Sequence, residues 1–471
     1  MQTWIEDETR TVNLPDERLN KRYRLLLDRL SDKPTLSIPA ASNGWAETHA
    51  AYRFFDNERV EPAQLLKPHL DATIERIRQY PVVLIPQDTT DLELTRKHEK
   101  VGGPLNSESH WGVRCHVSLA LTPQRLALGV VDSFTWYRDI DDFHKRHEAH
   151  LKPIEEKESY RWLEGYRRAS EVAKQTPNAK IISIADSEGD VYEYFVEAAK
   201  IEGAKAEWIV RGCQNRSLTD KTAGKLRETV AAGPILGTLE IEVSARADKS
   251  HGTDDKRRQA RSARTTDVTV QACTVALKAP ARPKGLPKMA NVEINVVLVR
   301  EVNPPAGEPA IEWLLLTSLP IETFAQICDI IHYYTCRWEI EVYFRVVKSG
   351  CGVQKLQLET ADRFVRCLSL YLIIAWRVMY VMRLGRECPE MPCEAVFSKE
   401  EWQAVYQVVH RKAPSKMPTL GEMVIMIAGL GGHLNRKNDG PPGPQTIWIG
   451  MQRTRDFVLA WLAYTAAQAS P

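Results

Sequence analysis

The stretch AKIISIADSEGD, residues 179–190, decides the fold class. A near-continuous apolar run of this length is typical of a strand that is buried on both faces of a sheet. Asp186 follows its last apolar residue, a helix is predicted at Val191–Ala199, and Glu207–Arg211 is a further apolar strand. Strand, helix and strand in this order predict an α/β domain.

Upstream, the sequence predicts the remaining elements of such a domain: a short strand at 81–90 (PVVLIPQDTT), two strands with period-two character at His116–Leu121 and Leu126–Trp136, and a helix at Glu155–Gln175. A three-strand meander followed by helix, strand, helix and strand is the order of an RNase H-like core. Ligand sites in open α/β sheets gather at the carboxyl ends of strands. Asp88 and Asp186 are each predicted at such an end, so both are candidate site residues.

The segment Tyr333–Lys348, YYTCRWEIEVYFRVVK, contains no Gly or Pro and is predicted to be one helix. Its Glu341 lies on one predicted stripe with four other residues, each four or seven positions away: Tyr334, Arg337, Arg345 and Lys348. This pattern has two interpretations. It is either a solvated face with ion pairs, or a metal-binding carboxylate among cations that bind phosphate.

Asp88, Asp186 and Glu341 together suggest a metal site. Hard cations such as Mg²⁺ prefer oxygen ligands, and two of them roughly 3.5–4 Å apart can promote phosphodiester cleavage. Other carboxylates compete for these roles, namely Asp91 near the first and Glu188 and Asp190 near the second. We favour Asp88 and Asp186 because each is predicted to follow an apolar strand directly.

The flanking segments differ in character from this core. Residues 1–70 form a predicted helical unit, in which Arg18 and Arg22 lie on a basic helix suited to phosphate contact. Residues 213–312 alternate Thr and Val and predict an inserted β-rich subdomain. Its basic run, Lys249–Arg264, is either a solvated loop or a phosphate contact. Residues 371–471 are predicted to be helical.

Several of these segments resemble the DDE transposases of bacterial insertion sequences. The matching residues are Asp88 in PQDTT, Asp186 in ISIADSEGD, and Tyr334, Arg337, Glu341 and Lys348, whose spacing Y-x2-R-x3-E-x6-K is the signature of one class of them. The segments AAYRFFDN (50–57), EKESYRWL (156–163), WLLLTSLPI (313–321) and GLGGHLNRK (429–437) also match. The resemblance covers nearly the full chain and is weakest at about residues 385–415.

The resemblance implies a role for each matching position. Asp88, Asp186 and Glu341 would be the ligands of two Mg²⁺ ions, with Mn²⁺ as a substitute. Contacts to DNA would come from Tyr334, Arg337, Lys348, Arg345 and Arg211. Trp313 would stack on a flipped base, although a tryptophan that opens a core strand has the same sequence pattern. At Arg345, relatives can carry Lys, which keeps the charge but not the contact geometry. The role of Trp338 stays open.

The resemblance also implies a reaction and partners. The enzyme would nick double-stranded DNA at transposon ends, form a hairpin by attack of the freed 3′-OH, and join the ends to target DNA. Two subunits would dimerise through the C-terminal helices. The alternatives are an RNase H-like metal nuclease without strand transfer, and a DNA-binding regulator of transposition that does not cut.

Composition limits the class and compartment of the protein. The 63 basic residues nearly balance the 61 acidic ones, so binding to nucleic acid must come from local patches. The acidic start, MQTWIEDETR, is not expected to be a signal peptide. The apolar run Leu368–Met382 contains Arg377 and is predicted to be too short to span a bilayer. Nine scattered cysteines fit reduced thiols. These features predict a cytosolic protein with no membrane partner, and the resemblance to bacterial transposases implies the bacterial cytosol and nucleoid.

These observations predict five parts. They are an N-terminal helical DNA-binding domain at 1–70, an RNase H-like core at 71–212 and 313–370, the β-rich insertion at 213–312, and a helical dimerisation domain at 371–471.

Overall fold

The computed structural model describes residues 3–96, 100–144, 152–220, 222, 224–245, 260–282 and 286–469. The α-helices of this part of the chain are α1 Thr3–Glu8, α2 Glu17–Asp32, α3 Ile38–Ala41, α4 Trp45–Phe55, α5 Pro62–Ile77, α6 Ile140–His144, α7 Tyr160–Gln175, α8 Tyr192–Lys200, α9 Leu226–Ala231, α10 Phe324–Cys336, α11 Trp338–Arg345, α12 Ala361–Glu387, α13 Lys399–His410, α14 Leu420–Leu430 and α15 Pro444–Ala469. The strands are β1 Val82–Glu93, β2 Gly103–Pro104, β3 Trp111–Leu121, β4 Ala127–Trp136, β5 Lys180–Ala185, β6 Glu207–Arg211, β7 Gly237–Val243, β8 Arg264–Leu277, β9 Val292–Glu301 and β10 Glu312–Thr317.

The chain divides into two compact units. Unit 1 contains residues 1–147 and 338–471, and unit 2 contains residues 148–337. The elements therefore form an α/β protein in which one unit is discontinuous in sequence.

Unit 1 contains an antiparallel sheet in which β3 pairs with β1, β2 and β4. Helix α12 packs against β4 and against helices from both ends of the chain, including α2, α5, α14 and α15. It begins at the N-cap Thr360, whose side chain accepts a hydrogen bond from Arg363 N. The predicted domain boundary between residues 370 and 371 falls inside this helix.

Helix α12 is longer than the predicted apolar run, at 27 residues. It is long and apolar enough to cross a membrane, but 89% of its most apolar window is buried inside the protein. Two arginines of this helix are buried. Arg366 donates to the backbone carbonyls of Val60 and Phe55, and Arg377 donates to that of Val396. These features are those of a core helix.

Unit 2 contains a mixed sheet in the order β5, β6, β10, β9, β8, β7. The pair β5/β6 is parallel and every later pair is antiparallel. Residues 213–312 are β-rich as predicted, but β7, β8 and β9 continue the sheet from β10 and do not form a sheet of their own. Apolar and polar residues alternate along much of β8 and β9, so one face of these added strands is apolar and can be buried.

Candidate active site

Asp88 lies in the middle of β1, with its side chain half-buried and Oδ1 accepting a hydrogen bond of 2.7 Å from Thr89 N. The prediction that it ends a short strand is wrong. The strand continues to Glu93 because Leu92 and Glu93 pair with Val113 and Gly112 of β3. The Thr–Thr pair that follows Asp88 favours extended backbone, and it belongs to the strand.

Asp88 lies on a strand that packs against α11. Asp88 and Thr90 share one face of β1, and Thr90 is opposite Cys115 of β3. Burial, the larger cause, and the nearby Cys115 raise the pKa of the Tyr343 hydroxyl on α11. Helix α11 also packs against β1. Asp88 and Glu341 therefore belong to two elements of unit 1 that pack together.

The segment predicted as one helix is divided in the structure. Helix α10 ends at Cys336 and α11 begins at Trp338, although Arg337 between them keeps right-handed helical angles. Residues 346–350 then form a π-helical turn. Such a turn has more residues per turn than an α-helix and changes the side-chain phase, so regular i,i+4 spacing does not continue to its end.

Burial divides the predicted stripe of five residues into two groups. Tyr334 and Arg337 are buried, whereas Glu341 and Arg345 are exposed and Lys348 is half-buried. The stripe is therefore not one exposed face, and the interpretation as a solvated helix face holds for only part of it. Burial lowers the pKa of the Lys348 ammonium, and the charge of Asp91 opposes this shift.

Asp186 directly follows β5, as predicted. It is the N-cap of a 3₁₀ turn at Ser187–Gly189, and its Oδ1 accepts a hydrogen bond of 2.8 Å from Glu188 N. Its side chain is half-buried. Asp186 belongs to unit 2, whereas Asp88 and Glu341 belong to unit 1.

The competing carboxylates all have cationic partners within their own unit. Asp91 accepts from Arg114 Nε at 3.0 Å and from Asn106 at 2.8 Å. Glu188 accepts from Arg161 at 2.7 Å. Asp190 is buried, pairs with Arg216, and accepts from two backbone N–H groups. These contacts identify structural roles for all three residues.

Two predicted DNA contacts lie near β10. Arg211 ends β6, is half-buried, and donates to the Glu312 carbonyl at 3.5 Å. The indole of Trp313 is only 9% exposed and packs edge to face on Tyr334, with ring centroids 5.5 Å apart. This burial fits a core tryptophan, the alternative interpretation of its position.

The N-terminal arginines lie on α2. Arg18 is 90% exposed and forms a bidentate ion pair with Asp16, the N-cap of the helix. The arginine contacts lower the pKa of the Asp16 carboxyl to about 2. Arg22 is half-buried one helical turn further on.

The basic run of the β-rich segment is described only in part. Four of its residues lie outside the described residues: Lys249, Lys256, Arg257 and Arg258. Arg264 pairs with Glu301 and Glu308.

A buried carboxylate beside the candidate site was not predicted. Glu339 on α11 has a side chain that is 3% exposed, pairs with Arg383 of α12, and lies 3.6 Å from Arg125 Nη1 in the β3–β4 turn. It links α11 to two other elements of unit 1. The available sequence signal was an acidic residue two positions before Glu341, where helical geometry turns its side chain to the opposite face.

The donor atoms of the three candidate carboxylates suit a hard metal ion. Three carboxylates form an oxygen-only ligand set that suits a hard divalent ion. Within the part of the chain that the structure describes, no three His, Cys, Asp or Glu side chains gather closely enough to form a ready metal site. The ligand roles of Asp88, Asp186 and Glu341 therefore stay predictions.

Comparison with known families identifies the chain. "Transposase DNA-binding" matches residues 1–60, "Transposase DDE domain" matches 195–377, and "Transposase Tn5 dimerisation domain" matches 373–468. The protein is a DDE transposase of the Tn5 family. The catalytic part of this transposase is RNase H-like, with a DNA-binding domain before it and a helical dimerisation domain after it. A DDE domain also implies catalysis with divalent metal ions.

The residues matched to the DDE domain include one of the three candidate carboxylates. Glu341 of the transposase lies within the residues matched to the DDE domain, and Asp88 and Asp186 lie before them. One solved structure that the transposase resembles is the cryo-EM structure of the piggyBac transposase synaptic complex with hairpin DNA, at 10% identity and a TM-score of 0.35. The match covers 82% of this chain and 72% of that chain.

Proposed function

We propose that this transposase moves its element by cut-and-paste, with Asp88, Asp186 and Glu341 as the catalytic carboxylates. The observation that carries the proposal is the packing of α11 against β1, the elements that bear Glu341 and Asp88. Asp186 at the carboxyl end of β5 would be the third ligand. Its neighbours Glu188 and Asp190 are bound to arginines, which supports this choice between them.

These carboxylates would hold two Mg²⁺ ions, and Mn²⁺ would substitute because it accepts the same oxygen ligands. Such ions would neutralise the charge that develops on the pentacoordinate transition state of phosphodiester cleavage. The protein itself supplies the ligand geometry and the surrounding cations. Arg345 and Lys348 follow Glu341 in the same segment and would bind phosphates beside the scissile bond. Tyr334, Arg337 and Arg211 are proposed as further phosphate contacts.

The proposed reaction starts with hydrolysis. The oxygen of a water molecule bonds to phosphorus at the transposon end, and the departing 3′ oxygen takes up a proton. The freed 3′ oxygen then bonds to phosphorus in the opposite strand. The bond from that phosphorus to the 3′ oxygen of the flanking DNA breaks, which closes a hairpin and releases the flank with a 3′-OH. A second hydrolysis opens the hairpin and frees the same 3′-OH, which then bonds to phosphorus in target DNA as a target 3′ oxygen leaves. Every step is hydrolysis or transesterification of a phosphodiester, so no redox partner is required.

The proposed assembly has two transposase subunits and two DNA ends. The C-terminal residues match a dimerisation domain, which supports a homodimer. We place this complex in the bacterial cytosol and nucleoid, with double-stranded transposon ends and target DNA as partners.

A strand-transfer assay tests the proposal. Full-length protein, Mg²⁺, a duplex with the element's terminal repeat and a supercoiled plasmid should give end cleavage, a hairpin intermediate, and plasmid joined to the end. Cleavage without joined product would support the RNase H-like nuclease. Binding of the duplex without cleavage in Mg²⁺ or Mn²⁺ would support the regulator that does not cut. A duplex with scrambled ends is the matched control.

A further inference from the structure

Trp45 is the most exposed of the large apolar side chains in the described residues, at 79%. It is the first residue of α4, within the residues matched to the transposase DNA-binding domain. Its N-cap, Gly44, has a φ of 92°, and a Cβ at that position would meet nothing within 4 Å. The start of α4 is therefore open to solvent, and an indole is held there.

The indole of Trp45 has one described aromatic neighbour. His49, one helical turn later, stacks on it with ring centroids 5.1 Å apart and planes 17° apart. The imidazole is itself exposed. The two stacked rings form one exposed aromatic surface.

Arginines of α2 interact with α4 on the helix face opposite Trp45. Arg29 Nε lies 3.2 Å from Glu47, which is two residues after Trp45, and the charge of Arg22 acts on the same carboxylate. Asn43 N also donates to Glu47. Glu47 therefore joins the start of α4 to the arginine stripe of α2, on which Arg18, Arg22 and Arg29 lie within about 40° of each other.

The charge of α2 to α4 favours an anionic partner. Residues 17–55 contain seven Arg or Lys and four Asp or Glu. Two of these acids, Asp28 and Asp32, are buried, and a third, Glu47, is neutralised by Arg29. An exposed aromatic surface in a segment with an excess of cations fits DNA, where cations bind phosphates and the ring contacts sugar or base.

We propose that Trp45, held by His49, is a contact residue for transposon-end DNA and adds an apolar contribution beside the arginines of α2. This proposal rests on the transposase function and adds a specific contact to it. The indole face would lie against the sugar and base edges in the groove, while Arg22 binds phosphate. Trp45 would thus contribute to affinity without releasing counterions.

The experiment uses the full-length chain and fluorescence anisotropy with a labelled terminal-repeat duplex over a series of salt concentrations. Trp45→Ala should weaken binding about tenfold, as expected for loss of one aromatic contact. The slope of log K against log salt should not change, because no phosphate contact is removed. Arg22→Ala should instead make the slope less steep by about one. Ile235→Ala, at a position 61% exposed in unit 2, is the matched control and should bind like wild type.

Three further results separate the outcomes. Trp45→Phe should recover part of the affinity, and His49→Ala should lose less than Trp45→Ala. Wild-type affinity of Trp45→Ala at every salt concentration would overturn the proposal. The proposal would also be overturned if Trp45→Ala changed the association state of the protein without DNA but left its affinity for DNA unchanged. Because the side chain is exposed, circular dichroism of the variant should match wild type. Strand transfer by wild-type protein tests the proposed function separately, so either result can fail alone.

Discussion

The imidazole of His69 forms a hydrogen bond with the carboxylate of Glu8 in the interior of unit 1, where neither side chain is more than 3% exposed. Val130 N donates to Nε2 of the ring at 2.9 Å, so the ring proton is on Nδ1 and is donated to Glu8. Arg76 donates to the same carboxylate at 2.6 Å. These bonds attach α1 to α5 and to β4.

This relationship predicts a loss of stability on acidification. Burial lowers the pKa of His69 below its ordinary 6.5, so the unfolded chain takes up a proton that the folded chain does not. The contribution of neutral His69 to the free energy of unfolding is complete above about pH 6.5 and declines as the pH falls below that value. Burial alone would raise the pKa of Glu8, but His69 and Arg76 lower it below 4.5, so a second loss follows at lower pH.

Urea unfolding from pH 8 to pH 5 measures this effect. His69→Gln should be less stable at pH 8 and should show a flatter dependence on pH between 6.5 and 5. Glu8→Ala leaves the cation of Arg76 without its buried carboxylate and should lower the free energy of unfolding by about 3 kcal/mol. An equal pH dependence in wild type and His69→Gln would contradict a neutral buried imidazole.

The proposed catalytic carboxylates have a specific mutational signature. Asp88→Asn, Asp186→Asn and Glu341→Gln should each abolish cleavage of a terminal-repeat duplex and keep its binding, because each removes an anionic oxygen ligand without changing side-chain size. Gel electrophoresis of cleaved duplex and a binding titration give the two readouts.

The neighbouring carboxylates provide controls for this prediction. Glu188→Gln loses only a contact with Arg161 and should still cleave. Full cleavage by any of the three catalytic variants would remove that residue from the assignment. Loss of binding together with cleavage would indicate a folding defect.

The arginine stripe of α2 is expected to determine salt dependence. Arg18→Ala combined with Arg22→Ala should weaken binding to end DNA and make the slope of log K against log salt less steep by about 2, since roughly one counterion is released for each phosphate contact. An unchanged slope would remove α2 from the DNA interface. Asp16→Ala is the companion variant, because it frees the Arg18 guanidinium from its ion pair and should not reduce the slope.

The buried carboxylate of Glu339 is predicted to support the position of α11. Glu339→Ala should lower the free energy of unfolding by about 3 kcal/mol, because it leaves the guanidinium of Arg383 without its buried partner. Arg125→Ala should cost under about 1 kcal/mol, because Arg125 is 37% exposed and its Nη1 lies 3.6 Å from Glu339. Urea unfolding of both variants measures the difference, and equal losses would contradict this ranking of the two arginines.

The sequence alone predicted most of the elements that carry the candidate site. Apolar runs located β5 and β6 to within a residue, because a strand buried on both faces has a simple pattern. The spacing of apolar residues could not predict that β1 continues past Asp88 to Glu93, because this extension depends on pairing with β3. The break at Arg337 and the π-helical turn after Arg345 also depend on tertiary packing. Trp313 was ambiguous in sequence because a core tryptophan and a base-stacking tryptophan have the same pattern.

The cap formed by Asp186 has a consequence for the entropy of ligand binding. Its Oδ1 is held by Glu188 N, so one rotamer of the side chain is selected during folding, before any ion is present. An ion at the proposed site would not need to immobilise this ligand again. The selection depends on the turn at Ser187–Gly189, where a Cβ on Gly189 would lie 2.6 Å from that of Ala185. A glycine that contacts no substrate thus helps to preorganise a proposed metal ligand.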